Sequence, residues 1–260
     1  MGKKITISLL QMRIFPGKVE KNVEKALALI NRAAGEGTDI AILPEMFSSG
    51  FYYRNMGGVA EKSPEVILTI QKLCKENKIS ALFSVPKKEG SSIYNTAYLI
   101  GRDGITKGTY RKVHLFGLFM EDRYFSRGDE SAVMSIPSLK IGPLICYDLR
   151  FPEISRKMAI EGAEMLVYCS QWPKERLSHW QALLRARAIE NQLFVAATNG
   201  CGRSGKIQLA GHSMIVSPYG DTVIEGGEDE GCFTIAIDKE EITRFRRMMP
   251  CLKDRHPGAY

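Results

Sequence analysis

The chain has 260 residues, of which 44% are hydrophobic and 25% are charged, and this composition is typical of a globular protein with one large domain or two small ones. No stretch approaches the roughly 20 apolar residues of a membrane-spanning helix, and the N-terminus lacks the apolar segment and cleavage site of a signal peptide. The net charge of +7 is spread along the chain, without the basic stripe and interleaved aromatic residues of a nucleic-acid-binding protein. We therefore expect a cytoplasmic protein without a nucleic-acid or membrane partner.

The sequence gives only weak signals for a lipid modification at the N-terminus and for a metal site or disulfides at its cysteines. Residues 1–6 (MGKKIT) fit the loose N-myristoylation pattern, but the alternating residues from Ile5 onward predict a strand whose start is tied into a sheet. The six cysteines are widely spaced and contain no C-x-x-C pair, so neither a zinc site nor a disulfide framework is indicated.

Strand and helix patterns alternate along the first half of the chain. Period-two alternation or a short apolar run predicts a strand, and apolar residues at helical spacing predict a helix. The predicted elements are, in order, a strand at 4–12, a helix at 19–34, a strand at 39–45, a helix at 64–77, strands at 79–85 and 95–100, and a strand that reaches Lys112.

The second half repeats this alternation and ends in a hairpin region. Its elements are a strand at 139–147, a helix at 153–162, a strand at 164–170, a helix at 178–191, a strand at 193–199 and a hairpin region at 211–237, followed by a helical pattern around 244–247. No linker or low-complexity tract divides the chain, so we expect one α/β domain over 1–260. Because strands also occur in adjacent pairs, we expect a mixed sheet, or two packed sheets with helices outside.

Three of the predicted strands end in residues that could do chemistry. Glu45 closes the apolar run DIAILPE, Lys112 lies among apolar residues in YRKVHLF, and Cys146 stands at a strand-to-helix turn in GPLICYD. Catalytic groups of α/β folds collect at the carboxyl ends of strands. A charge buried alone costs several kcal/mol, so Glu45 and Lys112 are expected to pair, and both could face Cys146.

These three residue types suffice for attack on a carbonyl or nitrile carbon. A thiol reacts as the thiolate, so a carboxylate can act as general base and a lysine can favour the anion. The ammonium and the backbone N–H after the cysteine can receive the developing oxyanion. The carboxylate would then return its proton to the departing amine, and no histidine is required.

The segments that carry these residues resemble the signatures of the nitrilase (carbon-nitrogen hydrolase) superfamily. They are ILPEMFSSGF, YRKVHLF and LICYDLRFPE, in this order, and the likeness extends to RARAIENQLFVAATN and GHSMIVSPYGD, nearly the whole chain. The resemblance implies Glu45 as general base, Lys112 as oxyanion-stabilising lysine and Cys146 as nucleophile. It also implies a second glutamate, matched by Glu121 rather than Asp122, that orients Lys112 and the substrate amine.

The family resemblance further implies a fold and an assembly. The expected fold is a four-layer α-β-β-α sandwich of the nitrilase type with two mixed sheets. A homodimer is expected through helices that include the one starting near Arg150, with a C-terminal tail of about 248–260 at the interface. No metal and no organic cofactor are expected.

Within this superfamily, two segments look closest to the omega-amidase branch: EMFSSGF and CSQWPKERLSHWQALLRARAIENQ. That branch hydrolyses the terminal amide of 2-oxo dicarboxylic acid monoamides such as 2-oxoglutaramate and 2-oxosuccinamate, and releases ammonia. The substrate would be a small anion in a pocket formed by the side chains Tyr147, Trp172, Phe51, Phe116 and Arg150. The alternatives are another hydrolase of the superfamily (an N-carbamoyl amidohydrolase, an aliphatic amidase or a nitrilase) or a non-catalytic binding relative.

Other residues have simpler interpretations. His114, next to Lys112 in YRKVHLF, invites a Cys-His dyad, but the sequence around Cys146 lacks the signatures of such families, so His114 is read as a hydrogen-bonded wall residue. The five other cysteines are read as packing or surface residues. Arg187 and Glu190 lie three residues apart on a predicted helix, where an intrahelical ion pair is the default.

Overall fold

The computed structural model describes residues 4–259 and consists of two β-sheets covered by helices. Gly2, the residue that would be acylated in the N-myristoylation pattern, lies outside this range. The strands are β1 Ile5–Gln11, β2 Ile40–Ile42, β3 Ser80–Glu89, β4 Ser92–Ile100, β5 Thr106–Arg111, β6 Met134–Ile136, β7 Leu139–Ile145, β8 Met165–Ser170, β9 Phe194–Asn199, β10 Cys201–Ser204, β11 Ile207–Ala210, β12 Met214–Val216, β13 Thr222–Glu225 and β14 Gly231–Ile237. The α-helices are α1 Val19–Gly35, α2 Met56–Glu61, α3 Ser63–Asn77, α4 Glu121–Tyr124, α5 Pro152–Ile160, α6 Leu177–Asn191 and α7 Glu240–Met248.

Both large sheets have six strands and mix parallel with antiparallel pairs, as the sequence predicts. The first has the order β14-β1-β2-β3-β4-β5, and the second has the order β13-β12-β9-β8-β7-β6. In each sheet three central strands are parallel and the outer strands are antiparallel to their neighbours. A small hairpin of β10 and β11 stands apart from both sheets.

The sheets pack face to face, and helices cover their outer faces, which gives the four-layer sandwich expected of the nitrilase type. Helices α1 and α3 lie against the first sheet, and α5 and α6 lie against the second. The central strands are therefore buried on both faces, which explains why segments such as 40–43 and 165–169 are continuous apolar runs. On α1 the buried stripe runs through Ala26, Ile30 and Ala33.

The predicted hairpin region at 211–237 is only partly a hairpin. β12 and β13 pair with each other, but β14 crosses to the first sheet and pairs with β1, with Ile5 opposite Ile237. Alternation in the sequence specifies which face of a strand is buried, but not the edge to which the strand binds. The predictions also missed short elements, which carry too few residues for a clear period: β6, β10, β11, α2 and α4.

The strand directions bring the chemistry-bearing residues to one end of the sandwich. β2 and β3 are parallel, and β5 runs in the same direction because two antiparallel steps separate it from β3. In the second sheet β7 and β8 are parallel. Glu45 follows β2, Lys112 follows β5 and Cys146 follows β7, so the ends of strands from both sheets meet around one pocket.

Candidate active site

The ammonium of Lys112 lies between two carboxylates in the interior of the protein. Its Nζ donates to Glu45 Oε1 at 2.8 Å and to Glu121 Oε1 at 2.9 Å. The Lys112 side chain is 0% exposed, and those of Glu45 and Glu121 are 1% and 3% exposed. Burial alone would lower the pKa of Lys112, but the charges of Glu121 and Glu45 raise it well above its ordinary value. Lys112 is therefore a fixed positive charge at neutral pH.

Glu45 is held by groups from both sheets. Its Oε1 also accepts from the Asn95 side-chain amide at 2.8 Å, and its Oε2 accepts from the Gln171 backbone N–H at 3.1 Å. The side-chain amide of Gln171 donates to the backbone carbonyl of Glu45 at 2.9 Å. These bonds leave Glu45 little rotational freedom, as a general base at a fixed distance from its acid requires.

Glu121 stands at the start of α4, directly after Met120, which has a left-handed φ of 57°. Its Oε2 accepts from the Phe116 backbone N–H at 3.2 Å. Burial raises the pKa of Glu121 to about 7, with Lys112 opposing the shift and Glu45 adding to it. Asp122, the neighbouring carboxylate considered from the sequence, is exposed and lies outside the pocket lining. Glu121 can therefore respond to pH near neutrality.

Cys146 occupies a backbone conformation that non-glycine residues rarely adopt. Its φ is 45°, and the 3-10 turn Cys146–Arg150 begins at this residue, directly after β7. Strained backbone of this kind is concentrated at functional sites, where the surrounding structure enforces it. The thiol lines the same pocket as Glu45 and Glu121.

Lys112 favours the thiolate of Cys146, as expected from the sequence, but its effect on the pKa is outweighed. Burial and the charge of Glu45 raise the pKa of the Cys146 thiol well above its ordinary value, and Lys112 opposes this only in part. Burial is the larger cause, and the charges of Glu45 and Glu121 add to it. The resting nucleophile is therefore a neutral thiol, and its proton must leave as the bond to carbon forms.

The turn that carries Cys146 is bonded to the segment that carries Lys112. Asp148 is fully buried, and its Oδ2 accepts from the Ile145 N–H at 2.9 Å and from the Tyr110 hydroxyl at 2.8 Å. Its Oδ1 accepts from the His114 backbone N–H at 3.0 Å and lies 2.8 Å from His114 Nδ1. His114 also stacks on Phe151 with ring centroids 3.7 Å apart. His114 is thus a hydrogen-bonded structural residue rather than a partner of Cys146.

Arg187 holds the same turn from the other side. Its guanidinium donates to the Leu149 carbonyl at 2.8 and 3.1 Å and to Glu190 at 3.0 Å. The predicted intrahelical pair with Glu190 is therefore present. The same arginine also bonds a backbone carbonyl of the turn Cys146–Arg150, which we call the nucleophile turn.

The pocket over Cys146 contains every side chain proposed from the sequence for the substrate. Phe51, Phe116, Tyr147, Trp172 and Arg150 all line it. The sequence reasoning missed four other lining side chains, and it also missed Asn95, the hydrogen-bond partner of Glu45. The missed lining residues are Phe119, Gln171, Pro173 and Arg176. Gln171 had a signal in the sequence, because it is a polar residue directly after a buried strand; Arg176 had none.

Two guanidinium groups lie on one wall of the pocket. That of Arg150 lies 4.8 Å from the ring centroid of Trp172, and that of Arg176 lies 5.8 Å from the ring centroid of Phe116. Within residues 4–259 neither forms an ion pair with a carboxylate, since the pocket carboxylates Glu45 and Glu121 are bonded to Lys112. The wall therefore offers unpaired positive charge to an anionic group. The same residue range contains no group of three or more His, Cys, Asp or Glu side chains that could hold a metal ion.

Comparison with known proteins gives a consistent family. The carbon-nitrogen hydrolase family model matches residues 6–247. A 2-oxoglutaramate amidase of Bacillus subtilis (strain 168) is 38% identical over 259 residues, which cover 99% of this chain and 100% of the relative. The omega-amidase NIT2 of Xenopus tropicalis is 34% identical over 268 residues, and the alignment covers 99% of this chain and 97% of the relative.

A solved structure shows what a similar site can hold. A variant of the amidase from Nesterenkonia sp. AN1, 25% identical, superposes with a TM-score of 0.90 over 99% of this chain and 96% of the amidase. In that structure the acetamide moiety of fluoroacetamide is covalently attached to the active-site cysteine. The match of the family model over nearly the whole chain, together with these relatives, shows that the protein belongs to the carbon-nitrogen hydrolase family of the nitrilase superfamily.

Proposed function

We propose that this protein is an omega-amidase, which releases ammonia from 2-oxo dicarboxylic acid monoamides such as 2-oxoglutaramate and 2-oxosuccinamate through a cysteinyl thioester. The observation that carries the proposal is the position of Cys146 in a pocket with Glu45 and Glu121, whose carboxylates are both bonded to Lys112. Such a site contains a nucleophile, a base and a fixed positive charge, which acyl transfer requires.

In the first step Cys146 Sγ attacks the amide carbon. Because the resting thiol is neutral, Glu45 removes its proton as the sulfur–carbon bond forms. Negative charge develops on the amide oxygen, and the Lys112 ammonium and the backbone N–H of Tyr147 stabilise it. Each such donor is worth roughly 3 to 4 kcal/mol in the transition state.

In the second step the tetrahedral intermediate collapses to a thioester. Glu45 returns the proton to the nitrogen, and ammonia leaves as the carbon–nitrogen bond breaks. Glu121 orients Lys112 and the amine during this step. Water, deprotonated by Glu45, then attacks the thioester carbon, and the carboxylic acid and the free thiol are released.

The substrate assignment is supported by the pocket wall and by the relatives. Five of the twelve lining residues are aromatic, and Arg150 and Arg176 supply charge for a carboxylate at the far end of a short substrate. The Bacillus subtilis relative is named for 2-oxoglutaramate. A small dicarboxylic monoamide fits both observations.

The test is ammonia release from 2-oxoglutaramate, measured beside glutamine, N-carbamoyl-putrescine and a simple nitrile, with Cys146→Ala as the control. We expect fast, Cys146-dependent release from the 2-oxo amide alone. Release only from another substrate of the panel would retain the proposed roles of Glu45, Lys112 and Cys146 but refute the omega-amidase assignment, and it would favour an N-carbamoyl amidohydrolase, aliphatic amidase or nitrilase.

We also propose that two copies associate through the outer face that carries α5, with the tail at 248–260 at the interface, and that the protein acts in the cytoplasm. Apolar side chains on this side are unusually exposed: Ile160 and Ile189 at 49% each and Met248 at 68%. Light scattering coupled to gel filtration should give a mass near twice 29.1 kDa, and Ile160→Glu should shift this mass toward that of one copy.

For the proposed location, within residues 4–259 no helix is both long and apolar enough to cross a membrane.

A further inference from the structure

A second cavity adjoins the catalytic pocket. Its volume is about 310 Å³, and it shares three lining residues, Phe51, Phe119 and Gln171, with the pocket over Cys146. Four of its eight other lining residues are apolar side chains from the segment before α4 and from the β10–β11 hairpin: Leu118, Met120, Ile207 and Leu209. An apolar cavity of this size with a few polar groups is typical of a small-molecule site.

The shared wall lies on the side of the catalytic carboxylates. Gln171 is bonded to Glu45, and Phe119 precedes Glu121 by two residues on the same short segment. Arg150 and Arg176 line only the catalytic pocket and not the second cavity. A substrate whose carboxylate meets the arginines would then have its amide nitrogen on the side of Glu45 and of the wall shared with the second cavity.

A polar group without a partner belongs to a residue of the second cavity. Tyr53 lines this cavity, and its hydroxyl is buried and has no hydrogen-bond partner within residues 4–259. The ring is fixed by stacking on Tyr124, with centroids 4.4 Å apart. Burial, and then the nearby charges of Glu121 and Glu45, raise the pKa of this hydroxyl, so it stays neutral. A buried hydroxyl left unpaired is destabilising, and the N–H of an amine could satisfy its oxygen.

We propose that the second cavity receives the substituent on the amide nitrogen, so that the enzyme also hydrolyses monoamides whose nitrogen carries an apolar group such as benzyl. The inference rests on the proposed function for the acyl half of the substrate. Cys146 Sγ forms a bond to the carbonyl carbon, the carbon–nitrogen bond breaks, and the thiol proton passes through Glu45 to the nitrogen. The amine leaves as benzylamine, and water converts the thioester to the acid and free thiol.

The experiment compares hydrolysis of 2-oxoglutaramate with that of its N-benzyl derivative, with product amine measured by chromatography. In the wild type we expect kcat/KM for the two amides to agree within roughly tenfold. In Ile207→Trp, which fills the second cavity, the ratio of N-benzyl to unsubstituted kcat/KM should fall by at least about tenfold. Val223→Trp, on the exposed part of β13 and outside both cavities, is the matched control and should keep the wild-type ratio.

The two proposals fail in different ways. If 2-oxoglutaramate is hydrolysed but the N-benzyl amide is not, or if Ile207→Trp leaves the ratio unchanged, the inference about the second cavity is wrong and the proposed function stands. If 2-oxoglutaramate is inert, benzylamine alone is the probe. The rate of Cys146 alkylation by iodoacetamide is measured with and without benzylamine. If benzylamine slows alkylation in the wild type but not in Ile207→Trp, the result supports the amine site. If benzylamine has the same effect in both proteins, the result overturns it.

Discussion

At the scale of single residues, the charge balance around Lys112 decides how the thiol is activated. One ammonium faces two carboxylates, and its stabilisation of a thiolate at Cys146 is smaller than the opposing effects of burial and of the Glu45 charge. Cys146 therefore stays protonated at rest, and in the mechanism we propose its proton moves to Glu45 only when a carbonyl carbon is in place. In the same proposed mechanism Lys112 acts on the oxygen of the intermediate, where new negative charge appears.

Glu121 gives this site a measurable dependence on pH. Because the pKa of Glu121 is about 7, the carboxyl is protonated below that pH and loses the charge that helps to hold Lys112. We expect kcat/KM of the wild type to rise with pH through about 7. Glu121→Gln resembles the protonated form, so its activity should be lower and should lack this acid limb. An unchanged acid limb in Glu121→Gln would assign the titration to another group.

Arg176 should contribute binding rather than chemistry. Arg176→Met keeps a long side chain against Phe116 but removes the charge, so KM for 2-oxoglutaramate should rise roughly tenfold or more while kcat changes little, as expected when a hydrogen bond to a charged group is lost. A neutral amide of similar length is the control substrate, and its KM should be insensitive to the change. Equal effects on both amides would mean that Arg176 shapes the wall instead of binding the carboxylate.

At the scale of elements, the nucleophile turn is positioned by contacts from β5 and α6. Asp148 ties this turn to Tyr110 and His114 on either side of Lys112, and Arg187 bonds the Leu149 carbonyl. Such contacts explain how the left-handed φ of Cys146 is maintained without glycine. They also fix the distance between the nucleophile and the oxyanion-stabilising charge.

Replacement of Asp148 by Asn tests this positioning. The amide can accept at one atom only, and its NH2 group faces donors, so we expect a loss of about 3 kcal/mol in the free energy of unfolding. Activity of the folded variant should fall roughly 10- to 100-fold in kcat with little change in KM, since the reacting atoms are misplaced. Asp122→Asn, at an exposed carboxylate, is the control. Loss of stability with an unchanged kcat would make Asp148 a purely structural residue.

At the scale of the whole molecule, the fold assembles a site from residues far apart in the chain. Glu45 and Lys112 follow strands of one sheet, and Cys146 and Gln171 follow strands of the other. The sequence predicted the alternating elements, the mixed sheets and the three strand ends, because apolar periodicity and isolated charges in apolar runs are local signals. It could not specify the crossing of β14 to the first sheet, because the choice of sheet edge depends on distant partners.

The same limit applies to the details of the site. The role of Asn95 could not be predicted, since it comes from a strand with no charged residue and meets Glu45 only after folding. The raised pKa of the Cys146 thiol likewise results from burial and from the charges of Glu45 and Glu121, and no local sequence pattern contains this information. Local patterns indicated which residue types would react, and only the packing of the sheets shows their protonation states.

The neutral resting state of Cys146 has a consequence for durability under oxidising conditions. Peroxide oxidises thiolates far faster than thiols, so cysteines with low pKa values are the first to be converted to sulfenic acid. Cys146 has the opposite character, whereas Cys251 is an exposed free thiol on the same chain. During mild hydrogen peroxide treatment, mass spectrometry should find Cys251 oxidised before Cys146, and activity should outlast the first oxidation event. Faster oxidation of Cys146 would show that the resting enzyme holds a thiolate after all.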